Sequence, residues 1–150
     1  MLSNLQISAR AAVVGVIDPD AYAAGTVTTG WIDISEWGWL MAIIMAGDLG
    51  TSATLDAKFQ QATDSSGTGA KDISGLAVTQ LTQAGSGSNK QAQINISGED
   101  TDFNNGFHFV RLSMTVATAT SDAGAVVIGM DARYGTADAS DAASVSEIVS

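Results

Sequence analysis

A chain of 150 residues fits one domain, since two separate cores would each be marginal at this length. Sixteen acidic against six basic side chains leave a formal net charge of -10, which repels phosphate backbones and argues against nucleic acid as a partner. The absence of cysteine excludes disulfides, thiolate metal sites and thiol nucleophiles, and 45% hydrophobic residues, 15% charged residues and 16 glycines describe a compact, β-rich chain.

The first segment, MLSNLQISARAAVVGVIDPD, has one basic residue, Arg10, and a short apolar run from Ala11 to Ile17. It lacks the basic region and small-residue cleavage site of a secretory signal, and residues 1–20 are expected to form an N-terminal arm. AYAAGTVTTGWIDI then supplies one or two strands around Gly25 and Gly30. Trp39 to Ala46 is an uninterrupted apolar run between Glu36 and Asp48, far short of the roughly 20 residues that span a bilayer. Flanked by Gly38, Gly47 and Gly50 and without a helix cap, it predicts a strand buried on both faces.

Next, ATLDAKFQQA alternates, with Leu55, Ala57 and Phe59 on one face and Thr54, Asp56, Lys58 and Gln60 on the other, as a half-buried strand does. AVTQLTQA reads as a strand or short turn, and KQAQINIS as another alternating strand. FHFVRLSMTVAT sets His108, Val110, Leu112, Met114 and Val116 against Phe107, Phe109, Arg111, Ser113 and Thr115, and AVVIGMDARY closes the series. TDSSGTGAKD, QAGSGSNK and TSDAGA separate these runs as turns. The expectation is an all-β antiparallel sandwich of about seven or eight strands, jelly-roll or immunoglobulin-like, occupying residues 21–134. Residues 135–150, small and polar until Val145, Ile148 and Val149, should form an extended tail that is mobile or bound elsewhere.

Little in the chain points to catalysis. Asp100, Asp102 and Asn104 have the spacing of the first ligands of a calcium loop, but Asn105 stands where the loop needs glycine and Arg111 where it needs a bidentate glutamate. An acidic turn is the preferred reading. The single histidine, His108, has no motif-placed partner for acid or base chemistry, and neither GTGAK nor GSGSNK has phosphate-loop spacing. Trp31, Trp37 and Trp39 lie close in sequence, the last two on one strand face, and suit packing in the core or a subunit interface better than a sugar platform. Arg111 and Arg133 fall in strands, where they form rim ion pairs or meet acids of a neighbouring subunit. No cofactor is implied.

The order of GWIDISEWGWLMAIIMAGDL, LDAKFQQATDSSGTGAKDISG, NKQAQINIS, FVRLSMTV and AVVIGMDARYG, over about residues 20 to 136, resembles a family of small β-sandwich virion proteins of tailed bacteriophages, of the capsid decoration or cement kind. The resemblance implies a structural protein and not an enzyme. It implies a seat on the capsid exterior after assembly in the host cytoplasm, with the major capsid protein and further copies of itself, as dimer or trimer, for partners. Trp31, Trp37, Trp39, Arg111, Arg133, Val145, Ile148 and Val149 are the interface candidates. The alternatives are another head or tail component, or a carbohydrate- or receptor-binding module. An acidic periplasmic or secreted enzyme fits least, having no catalytic set.

Overall fold

The computed structural model describes residues 4–150. Ten strands follow in order: β1 (Ala11–Tyr22), β2 (Gly25–Thr28), β3 (Ile32–Asp33), β4 (Trp37–Ala46), β5 (Thr54–Ala62), β6 (Lys71–Ala77), β7 (Leu81–Thr82), β8 (Gln91–Ile96), β9 (Phe109–Ala117) and β10 (Ser121–Ala132). They form two antiparallel sheets, β1-β10-β4-β8 and β2-β9-β5-β6, with β3 beside β9 and β7 beside β5. Setting aside the two-residue strands β3 and β7, the remaining eight pair first with last, second with seventh, third with sixth and fourth with fifth. That is a long antiparallel hairpin rolled so that successive pairs alternate between sheets. The result is a jelly roll, which settles the choice left open by the sequence.

Side-chain alternation places the core. On β5, Leu55, Ala57 and Phe59 are buried and the intervening residues are not, while β9 buries Val110, Leu112, Met114 and Val116. From the facing sheet come Leu40, Ala42 and Ile44 of β4, Ile94 and Ile96 of β8, and Val127 of β10. Full burial of a side chain such as Phe59 contributes about 2–3 kcal/mol against exposure. The turn between β5 and β6 is closed by Asp64, whose carboxylate accepts the backbone N–H of Ser66 and Thr68, an arrangement that holds this carboxyl below its usual range.

Both expected termini differ from the sequence reading. Of the segment taken as an arm, residues 1–3 lie outside the described residues, but Ala11 onward is the long edge strand β1, paired with β10 along its length. Pro19 is accommodated because β1 is an edge strand whose register shifts between Ile17 and Asp20. The tail is not free either. Ala137, in a 3-10 turn (Ala137–Ser140), is fully buried, the Ala142 N–H donates to Val13 O, and Asp141 accepts the Val13 N–H at 2.7 Å. The segment therefore caps part of the β1 edge that would otherwise present unpaired backbone groups.

Candidate functional site

The two sheets differ in how they meet water. Away from the core, β5, β6 and β9 carry a polar network: Lys58 pairs with Asp72 at 2.6 Å, Gln60 donates to Asp72, and Arg111 donates to Gln60 at 3.0 Å. Lys58 and then Gln60, by hydrogen bonding, hold the Asp72 carboxyl below its usual range. This is the solvated face of an antiparallel sheet.

The other sheet has no such finish. On β4, Leu40, Ala42, Ile44 and Ala46 enter the core, so Trp39, Met41, Ile43 and Met45 point away from it. Register sets Met130 beside Trp39, Ile128 beside Met41 and Val126 beside Ile43 on β10, then Val13 beside Ile128 and Val16 beside Val126 on β1. On the other side of β4, Asn95, Gln93 and Gln91 of β8 lie beside Met41, Ile43 and Met45. Trp39 is 51% exposed, Met45 52% and Met130 36%. None of these positions is ionisable. Near Met45 the face dips into a groove of about 880 Å3, where Gly124 carries no side chain.

The sequence reading of Trp39 to Ala46 as a strand buried on both faces is thus half met. The chain itself covers one side only, and the apolar residues of the other side remain half-buried or exposed. Met41, Ile43, Met45, Val126, Ile128 and Met130 were absent from the sequence-derived interface set. Their signal was the loss of alternation in the neighbouring runs MAIIMA and AVVIGM.

The three tryptophans do not form a platform. Trp37 turns inward and is 2% exposed, its ring lying where a Cβ on Gly129 would stand, while Trp39 stays outward. Trp31 lies under the Arg111 guanidinium, 4.5 Å from its ring centroid, with Gly67 packed against the indole. Beside Trp39 there is instead an open cleft of about 840 Å3, whose walls include Phe103, Tyr134, Arg133, Glu99 and Asp102.

The remaining sequence candidates are placed separately. Asp100 is spent on the backbone N–H and hydroxyl of Ser97, closing a capping box. Asp102 pairs with Lys71 at 2.9 Å and accepts from Asn105, and hydrogen bonds from Lys71 and then Asn105 hold its carboxyl below the usual range. Asn104 is exposed, so the calcium-like spacing does not converge; among the described residues no group of three or more His, Cys, Asp or Glu could hold a metal ion. His108 precedes β9 instead of lying in it and stacks on Phe103 at 4.0 Å between centroids. Arg111 and Arg133 form no ion pair among the described residues: the first stacks on Trp31, and the second donates to Trp37 O at 3.2 Å. Ile148 and Val149 are exposed and Val145 is half-buried. No described helix is long and apolar enough to cross a membrane.

No family model matches the chain, and no curated protein does, so the likeness to tailed-phage virion proteins stays a resemblance of motifs. Among solved structures, a chain of the cowpea mosaic virus empty virus-like particle is 8% identical, with 84% of each chain covered and a TM-score of 0.41. A chain of the disulfide-linked pili of Bacillus endospore appendages is 12% identical, covering 79% of this chain and 86% of that one at a TM-score of 0.37. The CBM22-1 xylan-binding domain from Paenibacillus barcinonensis Xyn10C is 14% identical, covering 83% and 94% at a TM-score of 0.41. At these values the fold assignment rests on the strand order above.

Proposed function

We propose that this chain is a structural component of a virus particle, and most concretely a decoration protein that binds the outer surface of a tailed-phage capsid and stabilises the shell. It works by occupying surface and not by catalysis. The observation that supports this reading is the uncovered apolar face on β1, β10, β4 and β8, carried by a chain whose net charge is -10. A large contiguous apolar patch rimmed by polar residues marks a surface made to be covered. Its partners on this reading are the major capsid protein and further copies of itself. Contact with the shell falls to the loops and the chain ends. The end available is shorter than a free tail would give: with the segment fixed to β1 through Ala142, only the residues after Val145 can reach outward, about 17 Å at roughly 3.4 Å per residue.

The test is co-sedimentation of the purified protein with capsid shells lacking it, followed by a reconstruction of the decorated particle. A sandwich on the outer surface supports the reading. Location in the tail would keep a virion role and reject decoration, and absence from particles would reject both.

A second reading rests on the cleft beside Trp39. Exposed aromatic rings at Trp39, Phe103 and Tyr134, with Arg133, Glu99 and Asp102 between them, offer both the apolar faces and the polar groups that a pyranose ring requires. Titration with a panel of oligosaccharides, followed by tryptophan fluorescence, tests it. A response lost in Trp39→Ala would favour glycan binding, and a flat panel would dismiss it.

A further inference from the structure

We infer that the apolar face of the β1-β10-β4-β8 sheet is covered by the same face of a second copy, giving a two-fold dimer packed sheet against sheet. This deepens the assembly reading by naming the partner of that face, and leaves the shell to be met by other surfaces.

Charge is the first argument. Two chains of net charge -10 repel one another, and the approach that brings fewest carboxylates together is through a face without ionisable groups. Along β4 and β10 the outward positions Trp39, Met41, Ile43, Met45, Val126, Ile128 and Met130 are all apolar, whereas Asp122 and Asp131 stand at the two ends of β10. Their placement at the margin also sets register, since a sideways slip would drive carboxylates over apolar surface.

Area is the second. Four strands about 4.8 Å apart and ten residues rising about 3.3 Å each make a face of about 19 by 33 Å, or about 600 Å2 per copy. Two copies bury about 1,200 Å2, which reaches the lower bound of a specific interface of about 1,200–2,000 Å2, and protruding Trp39, Met45 and Met130 add to the flat figure. Composition is the third. Three of the five methionines, Met41, Met45 and Met130, lie on this face, and unbranched thioethers adapt to a facing copy without a preformed socket. Such packing would place the facing sheets about 10 Å apart, as in a sandwich, and would bury Trp39 to Ala46 on both sides.

The experiment is sedimentation equilibrium of the purified full chain at micromolar concentration, with no shell present. The expected mass is twice the 15.3 kDa of one chain. Ile43→Lys, which puts a charge in the middle of the face, should weaken association at least about 100-fold and leave the far-ultraviolet circular dichroism unchanged, whereas Thr115→Lys on the polar sheet should leave the dimer intact. Ile43→Cys, in a chain with no other cysteine, provides a check that does not depend on a charged variant folding: a short bis-maleimide should link two copies. A monomeric wild type, a trimer, or a dimer that survives Ile43→Lys would overturn the inference. Shell co-sedimentation separates it from the function: a dimer that ignores shells keeps the inference and sinks the decoration role. A monomer that binds shells through Ile43 does the reverse.

Discussion

Gly129→Ala tests the local arrangement that sends Trp37 inward and leaves Trp39 outside. An ideal Cβ at position 129 would lie 2.6 Å from Trp37 Cδ2, 2.7 Å from Cε3 and 2.8 Å from Cε2. Comfortable carbon–carbon contact begins at about 3.5 Å, so three ring atoms overlap the new methyl by about 0.7–0.9 Å. The indole is 2% exposed and has no space into which to retreat. Two effects then compete. Removing a glycine stabilises by about 0.4–1 kcal/mol through the unfolded chain, and overpacking a core costs about 1–3 kcal/mol. With a rigid ring as the obstacle the cost lies at the upper end, and the net loss is about 2 kcal/mol. For a chain of this length that lowers Tm by about 4–8 °C. Urea denaturation at constant m-value measures it, and Trp37→Leu provides the background in which the same substitution should cost less than about 0.5 kcal/mol. An unchanged or raised midpoint for Gly129→Ala, or an equal cost in both backgrounds, would refute the packing argument.

Asp141→Ala should cost about 1 kcal/mol, because it leaves the Val13 N–H at the β1 edge without its acceptor; a urea midpoint indistinguishable from wild type would show that water replaces the carboxylate at no cost. Acid should destabilise the fold. Asp64, Asp72 and Asp102 have carboxyls held below their ordinary value, so their contribution is complete above about pH 4 and is lost as pH falls through the folded values. Tm followed from pH 7 to pH 2 should be flat and then drop, with a shallower drop in Asp72→Asn; a drop equally steep in that variant would exclude Asp72 as a contributor. Trp39→Phe should remove the most red-shifted part of the tryptophan emission and leave the urea midpoint within about 0.5 kcal/mol, since Trp39 is half exposed and makes no core contact in the single chain; a blue shift retained or a large loss of stability would contradict that placement.

What could be read from the sequence was whatever local periodicity encodes. β5 and β9 alternate cleanly, and their buried faces are those expected. The pairing order could not be read, because β1 and β10 meet across nearly the whole chain, Ala11 beside Met130, and nothing within either strand names its partner. For the same reason a jelly roll and an immunoglobulin-like roll were equivalent on paper. The Asp18-Pro19-Asp20 triplet looked like the end of an arm because proline is excluded from central strands, and only the edge position of β1 makes it admissible. Trp37 and Trp39 were assigned one face by period-two spacing, but Trp37 is drawn inward by the vacancy at Gly129, a residue distant in sequence. The tail misled by composition: Ala137 is a small residue in a polar stretch, and its burial depends on β1 and β10 meeting beneath it.

The most informative part of the sequence was the strand it described incompletely. An apolar run without alternation specifies burial of both faces, but it does not say that the same chain must supply both covers. β5 alternates and its sheet is finished with Lys58, Gln60, Arg111 and Asp72, a network that already satisfies its own polar groups. β4 does not alternate, and its outward row continues across β10 and β1 without a charge. A chain selected to remain single in water gains nothing from Met41, Ile43 and Met45 at those positions, since polar residues there would leave the core untouched and reduce aggregation. The asymmetry between the sheets therefore belongs to an assembled state: one face made for water, the other made for a second surface, with the acidic rim limiting which surface that is.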